Sequence, residues 1–457
     1  MRFSKFTIFL CTLAAGASAQ PADEAVVRQI FSEALAHGTA YMNLQALTEK
    51  YPGRLSGSKT LEDAFLWAER TLGGLSPDRV YRQAVLVPHW ERGPAETACI
   101  AGRADLPPLA VLALGGSTAT PPGALTAPVV EVQSLAEVEQ LGRDRLAGKI
   151  VFFNRPMDPT FIRTNLAYRA AGDQRFRGPA EAARFGAVAA LVRSLTFAAD
   201  DVPHAGMTAF PPEVAPIPCA ALGLQSADRL SAALRADPAL RLVLTINARR
   251  LPDAPSCNVI GEIRGREAPD EILVVGGHLD SWDNTPGAHD DGAGVVQAME
   301  VLRLFRALGL QPRHTLRCVI FTNEENGARG AAAYAAAAKE RGEKHLLALE
   351  SDAGGFTPRG FELGSAQGPV HERAAGQWHA LFEPYGVSAF TPGSGGTDVA
   401  PLQAQGAIVG ELVPDSQRYF DYHHAATDTL DHVNRRELEL GAASLAALIW
   451  LVDTHGL

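Results

Sequence analysis

The sequence predicts an α/β fold: a mixed, mainly parallel sheet sandwiched by helices and interrupted by a β-rich insertion. Residues 272–275 form a continuous apolar run, which is typical of a strand covered on both faces. The segment that follows has apolar residues at helical spacing, namely Val295, Met299, Leu302 and Phe305. From about residue 101 the pattern changes to short apolar runs separated by Gly and Pro, which indicates a separate β-rich unit.

The N-terminal part, residues 20–100, is predicted to be helical. Residues 24–36 have apolar positions at helical spacing, and Ser58 is placed to cap a second helix. The β-rich insertion is assigned to residues 101–250, and residues 251–457 form the main domain. The chain is long enough for such a division.

The first 19 residues have the pattern of a signal peptide. A basic start precedes an apolar stretch, and Ala17-Ser18-Ala19 forms an A-x-A cleavage site, so the mature chain is expected to begin at Gln20. This predicts a periplasmic or secreted protein. No later run approaches the roughly 18 apolar residues of a membrane span.

Charge and cysteine content restrict the partners. The net charge of −10, from 41 Lys and Arg against 51 Asp and Glu, argues against nucleic acid and anionic membranes, because both demand a basic patch. The cysteines after the signal peptide are Cys99, Cys219, Cys257 and Cys318, which allow up to two disulfides in three connectivities. Cys318 lies in an apolar run and is interpreted as a small buried hydrophobe. A homodimer is compatible with these features.

Acidic and imidazole side chains follow four apolar runs at the point where each run ends. These side chains are His278 with Asp290, Glu324 with Glu325, Asp352, and His423 with His424. Because ligand sites in open α/β sheets collect outside the carboxyl ends of strands, we expect these side chains to converge. Mixed imidazole and carboxylate ligands suit Zn²⁺ better than the oxygen-only sets of Ca²⁺ and Mg²⁺.

The motifs around these residues resemble those of the M28 family of co-catalytic zinc peptidases, and more narrowly its carboxypeptidase Q branch. They are, in order, GGHLDSWD, GAHDDGAG, FTNEENG, ESDAGG, GGTDVAP and YFDYHHAATDTLDHV. The resemblance covers about residue 257 to the end and reaches back to residues 52–58. It implies a zinc peptidase-like catalytic domain over residues 251–457 and a protease-associated domain as the insertion.

The resemblance also implies a metal ligand set. The ligands of one ion would be His278, Asp290 and Asp352. Those of the other would be Asp290, Glu325 and His424, so that Asp290 bridges the two ions. The implied cofactor is two Zn²⁺ per chain, with other divalent ions as alternatives. A water between two such ions has its pKa lowered from about 15.7 towards about 7, so hydroxide is available at neutral pH.

Glu324 is the acid beside these ligands that is not expected to bind metal. Its family counterpart is the general base, which takes the proton of the water and delivers it to the departing amine. The alternative is that Glu324 and Glu325 form a solvated charge pair at a helix start, where the helix dipole favours acids. The pair directly follows the apolar run 316–321, which favours catalysis.

Asp280, Asp428 and His289 each have a simpler alternative to a role in the site. Asp280 and Asp428 can form turns, since Asp often bonds its own backbone, or they can orient metal ligands. The resemblance favours the orienting role for Asp280, and for Asp428 the two interpretations stand equal. His289 is flanked by turn residues and is unmatched in the motif, so no role is assigned to it.

His423 occupies a position at which many aminopeptidases of the family have a tyrosine that can stabilise the oxyanion. It can donate a hydrogen bond there as a catalytic residue, or it can be a solvent-facing loop histidine. A substrate carboxylate would need a cationic or N–H-rich pocket. The candidates for such a pocket are Arg418 and the turn 395–398.

The predicted function is that of an exported di-zinc exopeptidase that hydrolyses dipeptides or short peptides with a free N-terminus. A broad-specificity aminopeptidase of the same family is the alternative among peptidases. Outside that class, an inactive receptor-like binding module would be expected to have lost ligands, whereas all five ligand positions and the base are present. A glutaminyl cyclase would use one zinc ion, and an esterase would need a G-x-S-x-G elbow, which does not accompany these motifs.

Overall fold

The computed structural model describes residues 20–457, so the predicted signal peptide lies outside the described residues. The helices are α1 (Gln20–His37), α2 (Ala40–Lys50), α3 (Lys59–Gly74), α4 (Leu135–Leu146), α5 (Thr164–Ala171), α6 (Asp173–Phe176), α7 (Gly178–Arg184), α8 (Leu224–Ala236), α9 (Ala293–Ala307), α10 (Arg329–Arg341), α11 (Val370–Phe382), α12 (Tyr419–Tyr422) and α13 (Arg435–His455). The strands are β1 (Arg79–Glu91), β2 (Thr97–Ile100), β3 (Val111–Ala113), β4 (Leu125–Val132), β5 (Ile150–Phe153), β6 (Ala189–Arg193), β7 (Cys219–Leu222), β8 (Arg241–Thr245), β9 (Arg249–Ile263), β10 (Ala268–His278), β11 (His314–Phe321), β12 (Lys344–Glu350), β13 (Pro358–Gly364), β14 (Ala389–Pro392) and β15 (Ile408–Pro414).

The first sheet has eight strands in the order β1-β9-β11-β10-β12-β15-β13-β14. Its centre, from β11 through β10 and β12 to β15, is parallel, and so is the β13-β14 pair at one edge. The remaining pairs are antiparallel. The predicted mixed, mainly parallel sheet is therefore confirmed.

Helices cover both faces of this sheet. On one face α9, α13 and the N-terminal helices share a core with β10 and β11, and α9 is buried along almost its whole length. On the other face α10 packs Tyr334 and Ala338 against Val274 and Val319. A strand buried on both faces needs continuous apolar sequence, which explains why residues 272–275 show no alternation.

The N-terminal part begins as predicted and then departs from the prediction. Ser58 caps α3 by accepting a hydrogen bond from the Leu61 N–H at 3.2 Å. The prediction of helix up to residue 100 is wrong beyond Gly74, because the chain continues as β1 alongside β9. Val85 and Val87 are buried while Leu86 between them is 55 % exposed, which is the period of two expected of a strand.

The chain leaves the first sheet after β1 and returns to it through β9. Between them lies a second sheet of seven strands in the order β2-β8-β4-β5-β6-β7-β3. Helices α4 to α8 belong to the same inserted unit, which therefore contains helices as well as strands. The unit begins with β2 at Thr97, slightly before the predicted start.

Trp282 joins the two units. It lies in the loop after β10, but its side chain is fully buried in the hydrophobic core of the second sheet, edge-on to Trp90 with ring centroids 6.4 Å apart. A Cβ atom at Gly115 would overlap the Trp282 ring, so only glycine fits there. Removing a buried indole typically costs about 3–5 kcal/mol, so this contact holds the insertion firmly on the loop between His278 and Asp290.

Helix α13 is long and apolar enough to span a membrane, with a mean hydropathy of 1.2 over its best window. In the folded protein 78 % of that window is buried, as in the core helix of a globular domain. The four cysteines of the described chain are free thiols. Cys318 is fully buried in β11, as predicted.

Candidate metal centre

His278 is the last residue of β10, and hydrogen bonds orient it at both its backbone and its ring. Its N–H donates to Asp291 Oδ2 at 3.0 Å, and its Nδ1 lies 3.0 Å from the carbonyl oxygen of Asp280. Because a carbonyl oxygen only accepts, Nδ1 carries the hydrogen, and Nε2 is left for a cation. Nε2 lies 3.5 Å from Asp290 Oδ1 and 3.6 Å from Asp352 Oδ1.

A second group of ligand atoms shares Asp290 with the first. His424 Nε2 lies 3.3 Å from Asp290 Oδ2 and 3.0 Å from Glu325 Oε2. Asp290 therefore turns one oxygen towards His278 and the other towards His424. The five ligands that the resemblance implies therefore lie in two groups that share Asp290. Ligand atoms of Asp290, His423 and His424 also lie within 4.8 Å of one another.

The facing atoms of this cluster suit cations. His278 Nε2, Asp290 Oδ2 and Glu325 Oε1 are buried and have no hydrogen-bond partner within residues 20–457. Burial, and then the charge of Asp290, raise the pKa of Glu325 well above its usual value. Buried carboxylates without a counter-charge are costly, so bound cations would relieve the cluster. The ligand atoms of His278, Asp290 and Asp352 all lie within 4.8 Å of one another, and this donor set fits zinc.

His423 lies against the centre and does not face solvent, so the solvent-facing alternative is wrong. Its ring stacks on that of His424 with centroids 3.6 Å apart, and its Nε2 is 3.6 Å from Asp290 Oδ2. Burial lowers the pKa of His423 well below its usual value, and the ring is therefore neutral. A neutral imidazole next to the ligands can donate one N–H to a substrate.

Asp280 orients both adjacent glutamates through their backbone. Its two oxygens accept from the N–H groups of Glu324 at 3.1 Å and Glu325 at 3.3 Å. Glu325 is buried, which contradicts the interpretation of the pair as solvated surface charges. Burial raises the pKa of Glu324 to about 7, and the charge of Asp352 adds to this effect. A carboxylate with a pKa near neutrality suits a general base.

Asp428 holds the backbone of the bridging ligand. It is fully buried, and its two oxygens accept from the N–H groups of His289 at 2.7 Å and Asp290 at 3.0 Å. Of its two interpretations, the orienting role is therefore the one that the contacts support. His289 itself is a packing residue: its ring stacks on Phe356 at 4.1 Å and accepts a hydrogen bond from the Gly355 N–H.

Arg54 is an important residue to which the sequence analysis assigned no role. It is fully buried and donates to the carbonyl oxygens of Leu279, Pro286 and Gly287 at 2.7, 2.6 and 3.1 Å. These carbonyls belong to the loop between His278 and Asp290. The only signal in the sequence was its place in the motif 52–58. Its partners are backbone carbonyl groups, which every residue has, so the residue types of the partners do not reveal the contact.

The turn 395–398 is organised by another buried acid, Glu350. Its Oε2 accepts from the N–H groups of Asp398 at 2.8 Å and Val399 at 3.0 Å. A Cβ atom at Gly396 would overlap the Glu350 carboxyl group, which explains the glycine. The Asp398 N–H is thus already bonded and is not available to a substrate carboxylate, so within this turn that expectation is left to residues 395–397.

A cavity of about 880 Å³ opens beside the candidate ligands and lies between the two units. The main domain contributes Asp290, Glu324, Asp352, Glu411 and His423, among others. The insertion contributes Arg163, Tyr168, Arg169, Arg175, Phe176 and Met207. Arg418, the cationic candidate from the sequence, is not part of this lining, and its side chain is exposed and lies 3.6 Å from Glu437. The cavity's cations therefore come from the insertion.

Comparison with known proteins agrees with this geometry. Residues 258–449 match peptidase family M28. The chain is 34 % identical over 418 residues to carboxypeptidase Q of Bos taurus, covering 91 % of this chain and 86 % of the relative. The chain belongs to peptidase family M28. This M28 peptidase is also 33 % identical to carboxypeptidase Q of Homo sapiens, with the same two coverages.

Solved structures support the same assignment. The crystal structure of a peptidase M28 precursor from Shewanella amazonensis has a TM-score of 0.89 and 35 % identity, and the match covers 95 % of this chain and 97 % of that one. A zinc aminopeptidase from Bacillus subtilis shares the fold, with a TM-score of 0.63, 20 % identity and coverages of 90 % and 93 %. The protein is therefore a hydrolase of the M28 peptidase family.

Replacing Asp428 by Asn tests the support of the bridging ligand. An amide has one acceptor oxygen, so one of the two N–H groups of residues 289 and 290 loses its partner. We expect zinc affinity to fall by about 10–100-fold, as for other groups that orient metal ligands. Competition with a chromophoric chelator measures the zinc affinity. The control is Asp431→Asn, which changes an exposed residue of the same loop. Wild-type affinity in Asp428→Asn would show that Asp290 does not depend on this carboxylate.

Proposed function

We propose that this M28 peptidase is an exported di-zinc exopeptidase that hydrolyses dipeptides or short peptides with a free N-terminus. The observation that carries the proposal is the pair of ligand groups that share Asp290, with Glu324 beside them on the wall of one cavity. Zinc at both groups would polarise the scissile carbonyl and lower the pKa of an attacking water.

The chain's own residues supply the proton transfers. Glu324 takes the proton of the attacking water and returns it to the departing amine. It must be deprotonated at the start, and bound cations would lower its pKa from the value of about 7 that burial produces. His423 is neutral and lies at the same cavity wall, where its ring N–H can donate to the substrate carbonyl oxygen.

Both charges of a short free peptide find a counterpart in the cavity. Glu411 lines the wall near Asp352, and burial raises its pKa to about 8. An α-ammonium group beside it would lower that pKa, so that Glu411 ionises and accepts its hydrogen bonds. Arg169 and Arg175 lie on the insertion's side, where Arg175 also donates to the Ala205 carbonyl oxygen at 3.3 Å and to the Tyr168 hydroxyl. A guanidinium group binds a terminal carboxylate well. This arrangement favours a substrate whose two ends lie within one cavity.

The remaining parts of the proposal concern the insertion and the cell compartment. We assign residues 101–250 as a protease-associated domain that shapes the cavity, because its helices α5 and α6 carry several of the lining residues. The A-x-A pattern supports cleavage after Ala19 and a periplasmic or secreted location. A broad-specificity aminopeptidase of the same family remains the alternative, and hydrolysis of longer peptides as fast as dipeptides would favour it.

Metal content is the first test of this function. We expect about two zinc ions per chain and loss of activity with a chelator, because the two ligand groups share only Asp290. His278→Ala and His424→Ala should each retain about one ion. Elemental analysis of purified protein measures these values. A single ion in fully active wild-type protein would exclude the two-metal mechanism.

The adjacent glutamates offer a matched pair of variants. Glu324→Gln keeps the size of the side chain but cannot accept a proton, so turnover should fall by about 10²–10⁴-fold with metal content unchanged. Glu325→Gln should instead lose metal, because it changes a ligand. Steady-state kinetics and elemental analysis of both variants separate base from ligand. Wild-type turnover in Glu324→Gln would remove Glu324 from the reaction.

Blocked dipeptides test the polarity of the substrate. N-acetylation should abolish cleavage, because it removes the ammonium group that the carboxylates beside the metals attract. C-terminal amidation should do less harm and mainly raise KM. Arg169→Gln should raise KM for the free dipeptide and leave KM for its amide unchanged. Rapid hydrolysis of N-acetyl dipeptides, with none of the amides, would show that the substrate lies in the opposite direction.

A further inference from the structure

A loop of the insertion, residues 204–206, contacts the two histidines of the metal centre through their backbone and one ring. His204 Nδ1 lies 2.7 Å from the carbonyl oxygen of His423, and the Ala205 N–H donates to the carbonyl oxygen of His424 at 2.9 Å. In the other direction, the His424 ring places Nδ1 3.2 Å from the Ala205 carbonyl oxygen. These contacts join residues 219 positions apart in the chain.

The second sheet holds this loop in place. The His204 N–H donates to Ser194 Oγ at 2.9 Å, directly after β6. The Gly206 carbonyl accepts from the Gly115 N–H at 3.0 Å, and the Thr208 N–H donates to the Gly115 carbonyl at 2.8 Å. The loop is therefore a fixed part of the insertion, and it presents one side-chain donor, one N–H and one carbonyl to the histidines.

The contact decides how His424 can serve as a ligand. A carbonyl oxygen only accepts, so the hydrogen of the neutral His424 ring resides on Nδ1, facing Ala205, and Nε2 is free towards Asp290 and Glu325. His424 also has a φ of 64°, in the left-handed region that non-glycine residues rarely adopt. Contacts with the surrounding structure must maintain such a conformation. The loop provides them, because the carbonyl oxygens of His423 and His424, before and after the His424 Cα atom, both accept hydrogen bonds from it.

His204 is suited to this task. It is 2 % exposed, and burial lowers the pKa of His204 to about 4, so the ring is neutral and has one hydrogen. Since the His423 carbonyl accepts it, that hydrogen is on Nδ1. Nε2 has no hydrogen-bond partner among residues 20–457, so this nitrogen is not engaged in any alternative contact.

We propose that His204 is a positioning residue for the metal ligand His424, so that the insertion forms part of the zinc centre as well as the wall of the cavity. The inference rests on the proposed two-metal function. It predicts that only the ion held by His424 depends on His204, because the ion held by His278 and Asp352 has no contact with the loop.

Zinc affinity measured by chelator competition tests this inference. His204→Leu removes the donor, and we expect one of the two zinc ions to bind about 10–100-fold more weakly. His204→Asn places an amide N–H near the position of Nδ1 and should restore the affinity. The control is Thr164→Val, which removes another hydrogen bond between the insertion and the main domain, from Thr164 Oγ to the Ser416 carbonyl at 2.6 Å.

Single-site backgrounds identify the ion affected. In His278→Ala, adding His204→Leu should weaken the remaining ion, whereas in His424→Ala it should change nothing. Equal weakening of both ions, or the same loss in Thr164→Val, would overturn the inference in favour of a general effect on folding. Two ions of unchanged affinity in His204→Leu would overturn it while leaving the proposed function intact. Wild-type protein that binds no ion through His424 would overturn both.

Hydrogen exchange of the wild-type protein gives a measurement that does not depend on the variants folding. Removing zinc with a chelator should release His424 and speed exchange of the Ala205 amide, which donates to His424. The Ala209 amide, which donates to the Phe176 carbonyl at 2.9 Å within the insertion, is the internal control. Unchanged exchange at Ala205 on zinc removal would overturn the inference.

Discussion

Repulsion among the buried and half-buried carboxylates that follow β10, β11 and β12 is the constraint on which the rest of this structure depends. Asp290, Glu325 and Asp352 face one another around two imidazoles, and Glu324 lies beside them. Two like charges about 4 Å apart repel by about 4 kcal/mol at an effective dielectric constant of 20. Such a cluster is stable when divalent cations balance it and when the surrounding structure holds each side chain in place.

The surrounding structure does so mainly through backbone groups. Three buried carboxylates each accept hydrogen bonds from two consecutive N–H groups: Asp280 from residues 324 and 325, Asp428 from residues 289 and 290, and Glu350 from residues 398 and 399. Asp280 and Asp428 use one oxygen for each donor, whereas Glu350 accepts both hydrogen bonds with Oε2. Arg54 performs the complementary task by donating to the carbonyls of the loop between His278 and Asp290. The loops that carry Asp290 and Glu325 are thus fixed by residues other than the candidate ligands.

The insertion meets this centre at three places. Trp282 is buried in its core, the loop 204–206 bonds to His423 and His424, and helices α5 and α6 supply Arg169 and Arg175 to the cavity. The wall of the cavity and the contacts of the candidate ligand His424 therefore both involve the insertion as it is docked on the main domain.

The sequence by itself determined the parts of the protein that are local. Continuous apolar runs marked the buried parallel strands, and the residues just after them were the candidate ligands and Glu324, because strand ends place such side chains at one edge of the sheet. The helical spacing of apolar residues and the Ser58 cap also predicted α3. The alternation of inward and outward side chains in β1 was not recognised in the sequence. Only the tertiary structure decided that Asp428 supports Asp290, that Arg54 is buried and that Ala205 faces His424. It also decided that the cavity's cations come from the insertion and do not include Arg418. These contacts join distant segments, mostly through N–H and carbonyl groups that every residue possesses, so no pattern of side chains could reveal them.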